Sequence, residues 1–234
     1  MSKARAIHAA PLAVALLLCL PALATAGVME EAKAAFDQRA DLAQAKKAVV
    51  LYQKALAANP ADERAVAGLG RSVAWLGNHV PEEEKAAVFE KAIEGCKAAL
   101  EKTPQSLAAH YWLGVNYSYY GKAKGIIKSL NLVEPIKEEM AFVIDKQPGY
   151  EEGGAYRVLG RVYYKLPGLM GGSNSKSLKN LRLALKNGPN NGLTKVFLAE
   201  TLIDEDQTAE AKKLLQEVVN GRAPKGMEPE FAEW

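Results

Sequence analysis

Four prolines set the rhythm of this chain. Five residues before Pro60, Pro104, Pro148 and Pro189 stand Ala55, Ala99, Val143 and Ala184. Eight before stand Tyr52, Cys96, Met140 and Leu181, and twelve before stand Ala48, Ala92, Ile136 and Ser177. These offsets are near multiples of the helical period, so each proline follows a helix with one apolar or small face. A second signature comes after each proline: Leu69-Gly70, Leu113-Gly114, Leu159-Gly160 and Leu198-Ala199. Three positions past the small residue stand Val73, Tyr117, Tyr163 and Leu202. A glycine inside a helix weakens it by up to ~1 kcal/mol. It is tolerated where two helices must approach closely and a large residue one turn away fills the space beside the contact. Such a pair cannot bury its face alone and needs stacked neighbours.

The pattern predicts an all-α fold of about four to five degenerate helical hairpins with inserted loops. In order and spacing it resembles the tetratricopeptide repeat, whose period is ~34 residues. The last unit, Leu198-Ala199 through Ala211, Leu215, Val218 and Pro224, keeps a short turn at Asp204 to Gln207. The others are longer. After Gly77 to Pro81, the acidic run Glu82-Glu83-Glu84 is a helix start by charge and proline, so a long helix is expected from Glu82 to Lys102. Gly121 to Leu130 is expected to prolong helices around a bend. In Leu166 to Ser173, Gly171-Gly172 permits positive φ, and Ser173 or Asn174 can cap the next helix. From Gly221 the chain is irregular, and Phe231 with Trp234 is expected to dock back as a cap.

Composition narrows the class. With 49% hydrophobic and 24% charged residues, neither disorder nor several membrane spans is indicated. Residues 1–26 have the form of a signal peptide: basic Lys3 and Arg5, an apolar run from Leu12 to Leu20, and Ala24-Thr25-Ala26 as an A-x-A cleavage pattern. The run is too short for a ~20-residue span and is broken by Pro11 and Pro21, which disfavours an uncleaved anchor. Leu18 before Cys19 is not the small residue a lipobox needs, so lipid anchoring is not expected. The expectation is export to the periplasm or an equivalent compartment, with residues 27–234 as one repeat domain and no transmembrane span in the mature part. Loss of Lys3 and Arg5 brings the charge close to neutral, which argues against nucleic acid as a partner. Cys96 would be the one remaining cysteine, unable to form an internal disulfide and best explained as a buried small hydrophobe.

Catalytic patterns are missing from the sequence. It contains no G-x-S-x-G, P-loop, C-x-x-C or H-E-x-x-H. Its three histidines are scattered, and His110 sits at a large-residue packing position. No enzyme activity, cofactor or metal site is expected. The inner groove of a repeat array, lined by the first helix of each pair, is the expected functional surface. Its candidate residues are Arg71, Trp75, Tyr111, Asn116, Tyr119, Arg157, Arg161, Tyr164 and Glu200. Aromatics mixed with arginines suit an extended peptide or an amphipathic anion, because a planar guanidinium pairs bidentately with carboxylate. The competing reading is that the tyrosines pack into neighbouring helices and the arginines pair with Glu151, Glu152 or Glu200. A second candidate is the loop with Leu166, Pro167, Leu169, Met170, Gly171 and Gly172. Its apolar residues either tuck inward as a plug or form a contact patch.

One tract narrows the resemblance. Leu159 to Asn191, followed by Phe197-Leu198-Ala199-Glu200, together with Leu51 to Leu56, resembles the periplasmic TRAP-transporter-associated TatT family. That resemblance implies an all-α bundle of degenerate repeats around a cavity, and a role assisting a TRAP-type solute-binding protein. Members of that family are lipid-anchored, unlike the expectation here. The stretch His110-Tyr111-Trp112 to Gly125-Ile126 is similar to the repeat domain of the regulator of microtubule dynamics proteins, which is taken as a shared fold and not a shared role. The functional expectation is a protein-binding adaptor with a protein partner. Its alternatives are a carrier of a hydrophobic or amphipathic small ligand and a structural envelope scaffold. A homo-oligomer is compatible with any of these.

Overall fold

The computed structural model describes residues 19–233. Lys3, Arg5 and residues 12–18 of the apolar run therefore lie outside the described residues, as does Trp234. Among the described residues there are α-helices, one short 3-10 turn and no strand. The helices are α1 (Cys19–Asp37), α2 (Leu42–Ala58), α3 (Glu63–His79), α4 (Glu82–Lys102), α5 (Leu107–Lys124), α6 (Ile126–Asn131), α7 (Val133–Lys146), α8 (Gly154–Lys165), α9 (Asn174–Asn187), α10 (Gly192–Asp204), α11 (Thr208–Val219) and α12 (Glu228–Phe231). None of them is long and apolar enough to cross a membrane.

These helices form five hairpins: α1/α2, α3/α4, α5/α7, α8/α9 and α10/α11. Each first helix also packs on the next first helix, in the series α1, α3, α5, α8, α10. The second helices α2, α4, α7 and α9 each pack on the first helix of the following hairpin, but not comparably on one another. Contact on one layer and not the other makes each hairpin a wedge. The array therefore bends with the first helices on its inner face. This is the all-α tetratricopeptide-like arrangement that the proline rhythm predicted.

Close packing explains the rhythm residue by residue. All twelve positions counted back from the four prolines are buried. A Cβ on Gly160 would lie 2.6 Å from Leu181 Cγ, and one on Gly114 would collide with the methyl of Met140. Met140 and Leu181 are fully buried, each contributing about 1.5–3 kcal/mol by burial. In these two hairpins the inner-helix glycine thus receives the large outer-helix residue eight positions before the proline, whereas Gly70 receives Trp112 of the next inner helix and Tyr52 fills the space beside Gly68. Asp41, Asp62, Ser106, Ser173 and Asn191 cap α2, α3, α5, α9 and α10 through their side chains, each worth roughly 1 kcal/mol. Of the two candidate caps for α9, Ser173 is the one used.

The insertions behave differently from one another. The first lengthens α4, which begins after Pro81 on three glutamates as expected. In the second, Gly125 at φ +90° breaks α5 from the short α6, which produces the bend. Gly114→Leu is expected to lower the unfolding free energy by about 3 kcal/mol, an overpacking cost, whereas Gly95→Ala, with nothing within 4 Å of its Cβ, should raise it by up to ~1 kcal/mol. Urea denaturation of both variants checks this pair of opposite signs.

Candidate functional site

The inner face is held by three arginines, each on a different contact. Arg71 of α3 donates to Glu151 at 2.5 Å. Burial works against its charge, but the Glu151 carboxylate outweighs this and raises its pKa. Arg161 of α8 pairs with Glu200 of α10 and lies over the rings of Phe197 at 4.2 Å and Tyr164 at 5.3 Å. Burial and a hydrogen bond to Asp204 push the Tyr164 phenol up. Arg157 donates to Tyr111 Oη at 3.4 Å, Thr194 Oγ1 at 3.3 Å and the Glu151 carbonyl at 3.3 Å.

What Arg157 supports is a strained turn. Glu151 and Glu152 are left-handed, at φ 49° and 55°, followed by Gly153 at 73°. A non-glycine residue held there costs roughly 1–3 kcal/mol and persists only when its surroundings over-determine it. Here they do. Arg71 takes the Glu151 carboxylate, Asn191 donates to Glu152 Oε2 at 2.7 Å, and Arg157 lies against the backbone carbonyls. The turn replaces the side-chain cap seen on α3, α5 and α10, since α8 starts from Gly153 with none.

An open cleft of ≈ 840 Å³ lies against this turn. Its walls include Arg64, Ala67 and Arg71 of α3, Leu107 of α5, and Tyr150 and Glu151. Arg64 and Arg71 are two helical turns apart and share a face. Arg64 is largely exposed and bonded to Asp62, and Arg71 is half-exposed. The Tyr150 phenol is pushed up by burial and then by Glu151. Its ring meets Tyr111 edge-on at 5.4 Å. Gln105 and Gln147 complete the rim from the two turns that follow α4 and α7.

The sequence candidates fall into three sets. Arg71 lines the cleft, and Arg157, Arg161, Tyr164 and Glu200 continue the inner face beyond it. Trp75, Tyr111 and Asn116 are buried and do not offer free side chains to the groove. The Trp75 indole donates to the Arg39 carbonyl at 2.8 Å, Asn116 is packed beside Cys96, and burial pushes the Tyr111 phenol up to about 12. Tyr119 is half-buried with its ring stacked on Phe89 at 5.1 Å. Arg71 pairs with Glu151 and Arg161 with Glu200, while Arg157 bonds only carbonyls and hydroxyls; Arg71 also lines the cleft. Glu63, Arg64, Tyr150 and Glu151 also line the cleft, outside the residues that the inner-helix register picks out. The signal was present, because they lie within a few residues of Pro60 and Pro148, where hairpins turn toward the inner face.

Leu166 to Gly172 forms a surface loop around a 3-10 turn at Gly168–Met170. Leu169 and Met170 are exposed, so the loop is a patch and not a plug. Gly171 takes φ +91°, and a Cβ on Gly172 would strike the Leu166 carbonyl, so both glycines are required by the turn. Cys96 is buried, and burial pushes its thiol up to about 12. His110 stacks on Phe142 at 3.7 Å, with its ring nitrogens at Glu139 and the Pro104 carbonyl. Among the described residues no group of three or more His, Cys, Asp or Glu side chains is placed to hold a metal ion.

In a Cys19→Ser background, the folded protein at pH 8 should resist thiol labelling at Cys96 and label in 8 M urea, as read by mass spectrometry. Arg157→Ala should cost about 1–3 kcal/mol and raise amide hydrogen exchange at residues 150–154 more than in α4.

The family model described as regulator of microtubule dynamics protein 1-3 matches residues 28–170. Regulator of microtubule dynamics protein 1 from Pongo abelii is 37% identical over 83 residues, and that from Homo sapiens 36%. The aligned stretch is 36% of this chain and 26% of each relative, so the chain matches about a quarter of their length. A thermophilic tetratricopeptide-repeat protein of Thermus thermophilus superimposes with a TM-score of 0.61 at 20% identity, over 88% of this chain and 97% of that one. It shares the fold.

Proposed function

Because this chain belongs to the regulator of microtubule dynamics protein 1-3 family, we propose that it is a non-enzymatic protein-interaction module that takes an extended segment of a partner into the cleft between α3 and the Tyr150–Glu151 turn. The observation that carries this reading is the pairing of two guanidiniums, Arg64 and Arg71, with the apolar walls Ala67, Leu107 and Tyr150 in an open cleft. A carboxylate side chain or a free C-terminus set among apolar residues matches that lining. An open cleft with charged walls favours a peptide over a wholly apolar small ligand, which would add nothing to the Arg64–Asp62 and Arg71–Glu151 pairs already in place.

In this proposal the binding takes place in the periplasm, as the Lys3-to-Ala26 targeting pattern implies. The partner is a TRAP-type solute-binding protein, on the resemblance of Leu159 to Asn191 to the TatT family. The part that the relatives' name assigns them in microtubule dynamics is not carried over. The aligned stretch covers about a quarter of their length, and an exported protein meets no tubulin.

Tagged wild-type protein and an Arg64→Glu/Gln105→Glu variant, compared in periplasmic pull-downs, test both levels. Arg64 and Gln105 are exposed, so helix content by circular dichroism should be unchanged. Partner recovery should fall about tenfold. Equal recovery by both proteins overturns the cleft. A reproducible partner unrelated to solute uptake, lost in the variant, supports the cleft and overturns the transport reading.

A further inference from the structure

The C-terminal segment makes a contact of another kind. Arg39, in the turn between α1 and α2, is fully buried at 1% exposure. Its guanidinium donates to Glu230 through Nε at 2.7 Å and through Nη2, to the Gly226 carbonyl at 2.7 Å, and to the Phe36 carbonyl at 3.1 Å. It lies over the rings of Phe36 at 4.3 Å and Trp75 at 5.3 Å. Arg39 and Glu230 are 191 residues apart in sequence. Beside them, His79 stacks on Trp75 at 3.8 Å and meets Glu233 at 2.7 Å through Nε2. Glu230 and Glu233 are three apart and so fall on one side of the helical turn. The two carboxylates thus read two basic groups from different hairpins.

A buried arginine aimed at a forked carboxylate, floored by two aromatic rings, is a built recognition site. Pairing there is strong because the charge is desolvated. The charged contacts give this segment a specificity beyond that of an apolar end cap. We infer that Arg39, Trp75 and His79 form a receptor for a short acidic helical peptide carrying two carboxylates three residues apart, and that residues 226–233 of this chain are its resident occupant. A partner segment with the same spacing competes with that occupant for the site. This receptor is separate from the cleft at Arg64 and Arg71, and neither reading depends on the other.

The probe is a fluorescein-labelled synthetic peptide of residues 224–233, titrated by fluorescence anisotropy into the full chain. Tethering gives the resident segment a high effective concentration, so wild type should bind the probe at least about tenfold more weakly than a Glu230→Ala/Glu233→Ala chain. A second peptide carrying Glu230→Gln and Glu233→Gln should bind the released chain at least about tenfold more weakly than the native peptide. That comparison needs no further change in the protein. An Arg39→Lys substitution added to the released chain should also weaken the native peptide, since lysine cannot make the fork. Failure of the released chain to bind the native peptide overturns the receptor. So does equal binding of the two peptides. Equal binding of the probe to wild type and released chain overturns resident occupancy.

Discussion

The contact on which this architecture depends is the one between a small residue of an inner helix and a large residue of the helix packed on it. Gly114 receives Met140, and Gly160 receives Leu181. The glycines lower the intrinsic helicity of α5 and α8, so those helices are stable because of what packs on them, not by propensity. The same contact brings the hairpin axes close at that point. With the inner helices also touching each other, the array must bend around them. The bend is what turns the first turns of α3 and α5 and the segment before α8 toward a common space. The cleft is therefore a consequence of backbone spacing, and its chemistry was added by the few residues that face it.

One irregularity supplies that chemistry. After Pro60, Pro104 and Pro189 the next helix starts three residues on, at Glu63, Leu107 and Gly192. After Pro148 it starts at Gly154, and the extra residues form the left-handed turn at Glu151 to Gly153. That turn could not stand alone, because two consecutive non-glycine residues with positive φ are costly. It is stabilised by Arg71 from α3, Arg157 from α8 and Asn191 before α10, so three hairpins are tied together at one place. The turn sets a carboxylate and the Tyr150 ring at the mouth of the cleft, which is where a repeat protein would place specificity.

Much of this was legible in the chain. The three offsets before each proline identified twelve buried positions, and Leu-Gly marked the inner helices. Ser173 could be named as one of two caps, because helical periodicity and capping are local properties, and Glu151, Glu152 and Glu200 could be named together as carboxylate partners for the arginines without being told apart. The longer spacing from Pro148 to Leu159 was legible too, since Leu-Gly falls two residues later than in the other hairpins. What it means was not, because the direction of an inserted turn is decided by side chains far away in sequence. Trp75 shows the same limit. Its register is that of an inner-face residue, yet it is buried, because it clusters with Ala45, Leu76 and Val80 while Arg39 and His79 lie over its ring. The cap expected from the sequence rests on Phe231 and Trp234, while the described ion pairs run through Glu230 and Glu233. A buried arginine is rarely anticipated from a sequence, since nothing local announces its partner.

Helix α3 carries both surfaces, and its geometry keeps them apart. Arg64 and Arg71 lie in its first half, while Trp75 and His79 lie at its C-terminal end. At 1.5 Å per residue, Arg71 and His79 are roughly 12 Å apart along the axis. That separation of about two helical turns places the two surfaces at different points along the helix. The two surfaces also differ in what holds them. The cleft depends on contacts among the middle hairpins, with Arg71 of α3 reaching the turn before α8. The Arg39 contact joins the first hairpin to the segment after the last. A change confined to residues 226–233 thus removes this long-range tie while leaving every hairpin-to-hairpin contact in place. Binding at the cleft can then be compared in tied and untied chains of the same fold.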